Sequence, residues 1–170
     1  MPTNAITDEV EQILDDWRRQ RPDLDPSPMG VFGRIARLAA RQRADLTAML
    51  IEFELTPASF DVLANLRRSE PPHRKTPTEL ASSSMMSPGG MTFRIDKLEE
   101  ARLVTREHSP DDRRVVHVEL TPNGKALIDE VIEAHLDRER SLLASMSDLQ
   151  TDELSRLLAL LELSINDARS

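Results

Sequence analysis

The chain has 170 residues, and its 30 acidic side chains against 22 Lys plus Arg leave a formal net charge of -8, with 39% apolar residues. That length and composition suit one globular domain with appended helices and exclude wholesale disorder. Cysteine is absent, which excludes disulfides, thiolate zinc sites, iron–sulfur ligation and cysteine nucleophiles.

The first residues lack the basic start and apolar run of a secretory signal. No stretch approaches the roughly 20 consecutive apolar residues of a membrane span, so a cytoplasmic protein without a membrane partner is expected. Charge is unevenly distributed: residues 71–119 carry eight Lys/Arg and eight Asp/Glu, so the whole acidic excess lies outside that segment.

Ile6, Val10, Ile13, Leu14 and Trp17 recur on one face of a predicted helix over about 5–20. Three prolines between Arg21 and Pro28 make the next stretch a loop. Phe32, Ile35, Leu38, Leu46, Met49, Leu50 and Phe53 place a long second helix over about 29–53. Thr56-Pro57 is a cap followed by proline at the first helical position, and Phe60, Leu63 and Leu66 form the buried face of the third helix. Ser69 to His73, with two prolines, ends it.

Thr76 or Thr78 starts a short helix carrying Leu80 and Ala81. Ser87-Pro88-Gly89-Gly90 interrupts it, and a further helix carries Met91, Ile95 and Leu98. The runs 104–108 and 114–120 are β-prone and flank a charged loop, which predicts a hairpin. Thr121-Pro122 repeats the cap-plus-proline device before a long helix to about 146. Asp148 and Thr151 are cap candidates for a last helix with Leu154, Leu157, Leu158, Leu161 and Ile165 on one face.

A helical trio followed by a hairpin is the pattern of a winged helix-turn-helix. The expected fold is therefore mainly α with a small β-hairpin: N-terminal helices over 1–55, a winged helix-turn-helix over 56–120, and C-terminal helices over 121–170. The flanking amphipathic faces exceed what the small winged unit can cover, so they are expected to meet a second copy as dimerisation helices.

The helix expected to begin at Ser87 would bring backbone N–H groups and the small side chains of Gly89, Gly90 and Thr92 close to phosphates and base edges in a major groove. Arg94 lies on the same helix. At the hairpin tip Arg113 and Arg114 are placed to reach a minor groove or the DNA backbone, with Asp112 in a supporting role, fixing an arginine by a charge-assisted pair. The same glycines would also suit a plain turn between packed helices, and the charged tip a solvated surface run. Phe93, beside Arg94, is either a core residue or one that alters base preference.

Thr78-Glu79-Leu80-Ala81, the run from Met91 to Glu99, Asp112-Arg113-Arg114 and Leu120-Thr121-Pro122-Asn123-Gly124 together resemble the MarR family of bacterial regulators over nearly the whole chain. The resemblance puts Asp112 and Arg114 in an Asp-x-Arg wing pair and implies a homodimeric repressor on a palindromic operator. Arg102 departs from it, standing where the family usually has a glycine.

A narrower resemblance is to the urate-responsive subgroup, with Trp17 on the extra N-terminal helix, Asp61 before the helix-turn-helix, Arg94 in the recognition helix and Arg106 where the wing begins. It implies that a small anionic aromatic or purine ligand binds near Trp17 and Arg106 and disturbs a link between Asp61 and Arg94. Indole and guanidinium offer the flat face and planar donors such a ligand uses. Asp61 also shares a helical face with Asn65 and Arg68, as a solvent-facing stripe would.

No nucleophile, base and orienter combination is recognisable, so no enzyme is expected, and neither a cofactor nor a metal site is assigned. His108 and His117, across the hairpin, are the nearest approach to a metal pair. The alternative to a DNA-binding regulator is a helical homodimeric interaction module without specific DNA binding.

Overall fold

The computed structural model describes residues 8–84, 89–109, 112 and 114–168. In chain order the elements are α1 (Glu9–Gln20), α2 (Ser27–Ile51), α3 (Pro57–Arg67), β1 (Arg74–Lys75), α4 (Pro77–Ser83), α5 (Met91–Glu100), β2 (Val104–His108), β3 (Val116–Leu120), α6 (Pro122–Leu143) and α7 (Asp148–Asp167). They form two compact units, residues 1–57 and 58–170. Among the described residues no helix is long and apolar enough to cross a membrane.

In the first unit Asp8 caps α1, its carboxylate accepting the Glu11 N–H at 2.8 Å. Arg34 of α2 reaches back to the same Asp8, at 2.9 and 3.0 Å, and to Glu11 at 3.2 Å. The Arg34 guanidinium, followed by the Glu11 N–H, holds the Asp8 carboxyl below its ordinary range. Val10 and Leu14 are the buried residues of α1. Gly33 and Gly30 of α2 leave room for them, since a Cβ at either position would stand 3.3 Å from Val10 Cγ1 or 3.2 Å from Leu14 Cδ1. The apolar face read for α1 is therefore only half used: Ile13 and Trp17 stay exposed, Trp17 by 43%.

The second unit is built around α3, which begins at Pro57 as the cap-plus-proline signal predicts. Its Val62, Leu63 and Leu66 are buried, as are Leu80 of α4, Ile95 and Leu98 of α5, Val104 and Val118 of the sheet, and Ile128 and Val131 of α6. The sheet has three antiparallel strands in the order β1-β3-β2. Val104 lies opposite Leu120 and His108 opposite Val116, while Arg74 and Lys75 of β1 face Glu119 and Val118. The sequence predicts only the hairpin. β1 is two residues long, too short to carry an alternation, and it follows a turn with a cis Pro71-Pro72 bond and His73 at φ 62.

Several helix starts differ from the sequence reading, and α2 begins at Ser27, so that Ser27 and Pro28 of the expected loop belong to the helix. α7 is capped by Ser147, whose hydroxyl accepts the Gln150 N–H while the Gln150 side chain accepts the Ser147 N–H, a closed capping box one residue before the expected Asp148. α5 begins at Met91 and not at Ser87, because Gly90 at its N-cap has φ 78, a left-handed conformation that a helix cannot include. Ser87 lies outside the described residues.

The strand-to-helix junction accounts for the Leu-Thr-x-x-Gly pattern. The Thr121 N–H donates to the Leu103 carbonyl at 3.1 Å. The Thr121 hydroxyl donates to the Arg102 carbonyl at 2.8 Å and accepts the Gly124 N–H at 2.9 Å. The backbone before β2 is thereby pressed onto the first turn of α6. A Cβ on Gly124 would run into the Leu103 carbonyl oxygen and stand 2.8 Å from its carbon, so only glycine fits. Arg102 itself has φ 59, the left-handed conformation for which the family's glycine is suited.

Candidate nucleic-acid interface

Helices α4 and α5 with the turn between them form the helix-turn-helix, and β2–β3 its wing. A closed capping box starts α4: the Glu79 carboxylate accepts the Thr76 N–H at 2.7 Å, and the Thr76 hydroxyl accepts the Glu79 N–H at 3.2 Å. The Thr76 N–H and then its hydroxyl hold the Glu79 carboxyl below its ordinary range. In α5 Met91, Ile95 and Leu98 are buried, whereas Thr92, Phe93 and Lys97 are exposed and Arg94 is half-buried. Gly89 and Gly90 are exposed, with open space where a Cβ would stand. Thus Gly89, Gly90, Thr92 and Arg94 lie together at the start of the outward helix.

At the wing tip Asp112 and Arg114 form the expected pair. Arg114 donates its backbone N–H to Asp112 Oδ1 at 2.9 Å, and its guanidinium meets both carboxylate oxygens at 3.2 Å. That guanidinium, with the backbone N–H, holds the Asp112 carboxyl below its ordinary range. The paired Arg114 side chain stays open to solvent. Arg113 lies outside the described residues.

The residues read as ligand-sensing fall in both units. Trp17 belongs to the first, near the end of α1, where its carbonyl accepts the Arg21 N–H at 2.8 Å. Asp61, Arg94 and Arg106 belong to the second. Asp61 is 7% exposed and Asn65 1%, which overturns the solvent-facing stripe: these polar groups point inward, where each needs partners. Asp61 accepts a hydrogen bond from the Ser84 hydroxyl at the C-cap of α4. Beside it, Asn65 Oδ1 accepts from Lys75 Nζ at 2.7 Å, and Asn65 Nδ2 donates to the Ser83 hydroxyl oxygen at 2.9 Å. Arg68 donates to the Ser83 carbonyl at 2.8 Å. The polar face of α3 thus grips the last residues of α4, immediately before the turn into α5.

Arg106, on β2, forks between Asp96 and Glu99 of α5. Burial works against its charge, but the two carboxylates outweigh that and hold the guanidinium above its ordinary value. The wing is in this way strapped to the recognition helix by charge-assisted bonds. Sequence reasoning missed Ser84, Lys75 and the Asp96/Glu99 pair. The last had a visible signal, two carboxylates three residues apart on one helix face, followed by a strand that carries Arg106. His108 and His117 sit one step apart in register on facing strands, so their side chains leave opposite faces of the sheet and do not converge.

This fold and site define the class, a winged helix-turn-helix transcription regulator. The MarR family profile matches residues 55–116. PecS, an HTH-type transcriptional regulator of Dickeya dadantii, is 36% identical over 154 residues, covering 91% of this chain and 93% of PecS. Among solved structures, AbsC, a MarR family transcriptional regulator from Streptomyces coelicolor, superposes with a TM-score of 0.74 at 24% identity, covering 85% of this chain and 97% of AbsC. A cysteine-to-serine mutant of E. coli MarR complexed with operator DNA gives a TM-score of 0.67 at 24% identity, covering 91% and 99%. The chain belongs to the MarR family of transcriptional regulators, a family that is not enzymatic.

Proposed function

We propose that this regulator is a homodimeric, sequence-specific repressor whose two winged units read half-sites of a palindromic operator about one helical turn apart. The observation that carries the reading is the outward face of α5, where Gly89, Gly90, Thr92 and Arg94 meet beside a wing whose Asp112–Arg114 pair is preset. Dimerisation is supported by α7, a helix of 20 residues with no buried residue and with Leu154, Leu157 and Leu158 between 40% and 49% exposed. A second copy is the economical cover for that face.

The repressor is released by a small anionic aromatic or purine ligand such as urate. Supporting this are the indole of Trp17, exposed and unique in the chain, and the planar guanidinium of Arg106. Asp61 and Arg94 complete the residues to test. Such a ligand acts by binding the DNA-free state more tightly than the DNA-bound one. The test is titration of the purified protein with its own upstream intergenic DNA at fixed salt, with and without urate, xanthine and salicylate, following Trp17 fluorescence. Selective binding relieved by a ligand that quenches Trp17 supports the whole reading. Tight binding indifferent to every ligand refutes the sensor, and unselective binding on all candidate operators favours an interaction module.

A further inference from the structure

The sequence leaves Phe93 as either a core residue or one that alters base preference, and the structure removes the first option. Phe93 is 65% exposed, whereas Phe60 is buried. Two residues after the buried Met91, it lies about 200° round α5, opposite the stripe that faces the core. It also sits in the first turn of the helix, the part of a recognition helix whose side chains meet base edges.

The environment narrows what the ring can meet. Among the described residues of α5 its exposed neighbours are Thr92, Lys97 and Glu100, so on this helix the ring stands in a polar surface and not in an apolar stripe of the kind protein partners use. Lys97, one turn on, lies 5.8 Å from the ring centroid and pairs with Glu100 at 2.7 Å. That i, i+4 contact steadies the ring and keeps a cation beside it for a phosphate. In the major groove the feature that a flat hydrocarbon can recognise is the 5-methyl group of thymine.

We propose that Phe93 is a specificity-determining residue that reads the methyl group of one thymine in each operator half-site. This rests on the DNA-binding reading above. The hydrophobic contact selects T·A over pairs with no methyl there, while Arg94 and Lys97 supply charged contacts to the same stretch of DNA.

The experiment begins by selecting a preferred operator from a pool of random duplexes with the wild-type protein, then replaces each half-site thymine singly with deoxyuridine, which lacks only the methyl. At one position the wild type is expected to lose about fourfold in affinity per half-site, and about fifteenfold when both half-sites are changed, the value of one buried methyl each. Phe93→Ala should bind the thymine and uracil operators equally, and Phe93→Leu should keep part of the preference. Because the ring is exposed, both variants should melt with the wild type, so a folding defect is separable. A Phe93→Ala protein that keeps the wild-type uracil penalty, or a wild type indifferent to uracil at every thymine, overturns the proposal. Selection that enriches no sequence instead overturns the DNA-binding reading beneath it, and is seen before any uracil is introduced.

Discussion

Gly124→Ala is the most demanding test of the junction between wing and α6. On a helix surface the change would be favourable, since alanine is preferred over glycine by up to ~1 kcal/mol. Here the new methyl enters the space of the Leu103 carbonyl, and backbone cannot rotate away as a side-chain tip can. Restoring a tolerable contact requires that carbonyl to retreat by roughly an ångström, which stretches the bonds it and its neighbour accept from Thr121. Overpacking costs about 1–3 kcal/mol and each weakened hydrogen bond about 0.5–1.5 kcal/mol. Less the helix preference, the net loss is about 1–5 kcal/mol, or a Tm lower by about 2–20 °C for a chain of this size. Calorimetric melting at fixed protomer concentration measures it. Gly33→Ala is the milder comparison, because its Cβ meets only the Val10 methyls, at 3.3 and 3.7 Å, a crowding that a shift of a few tenths of an ångström relieves, and it should cost less than about 1 kcal/mol. A Gly124→Ala protein melting within about 2 °C of the wild type, on the same conversion, refutes the steric argument.

Arg102→Gly should stabilise the protein by ~0.5–1 kcal/mol, because φ 59 strains a side chain while the bonds made there use only the backbone; unchanged urea midpoints would count against strain at this position. Asp129, paired with Arg67 at 2.5 Å, has its carboxyl held below the ordinary range chiefly by that guanidinium. A lowered folded-state pKa gives stability present above ~4 and lost as pH falls through the folded value. The deficit of Asp129→Asn, about 0.5 kcal/mol for so exposed a pair, should therefore be full near neutral pH and vanish as pH falls through the lowered folded-state value; a deficit independent of pH would contradict the pairing. Leu157→Asp, in a helix with no buried residue, should convert the proposed dimer to monomer by light scattering without unfolding it, and a dimer of unchanged affinity would show that α7 is not its interface.

The helices were legible because their apolar faces and caps are local: Thr76, Thr121 and the prolines after them sit where the signals put them. The same logic explains the misses. β1 is specified by pairing with Glu119 and Val118 more than 40 residues away and not by its own two residues. Ser147 outcompetes Asp148 as a cap because Gln150 completes its box. At the site, residue types were legible and partners were not. Asp61 and Asn65 look like a solvent stripe until Ser83, Ser84 and Lys75, brought from other elements, make their burial tolerable. Phe93 could be flagged from sequence, but its outward orientation follows from Met91, Ile95 and Leu98 claiming the other face of α5.

The recognition helix is held by polar contacts on two sides, and this bears on how a ligand would act. Before α5, the buried face of α3 fixes the end of α4 through Ser83 and Ser84; behind α5, Arg106 ties the helix to the wing through Asp96 and Glu99. Apolar contacts resist displacement without regard to charge, but the Arg106 bonds answer to any anion that competes for its guanidinium. A ligand that draws Arg106 away must replace two carboxylates, and it leaves Asp96 and Glu99 un-neutralised on a helix that has to approach phosphates. Release from DNA is then electrostatic as well as positional, and electrostatic effects near a surface are screened within about 10 Å at 0.1 M salt. The ligand-induced loss of affinity should accordingly shrink as salt rises, even after allowance for the salt dependence of binding itself. A ligand effect of constant size across a salt series would place the whole response in the positioning of the helices and none in the exposed carboxylates.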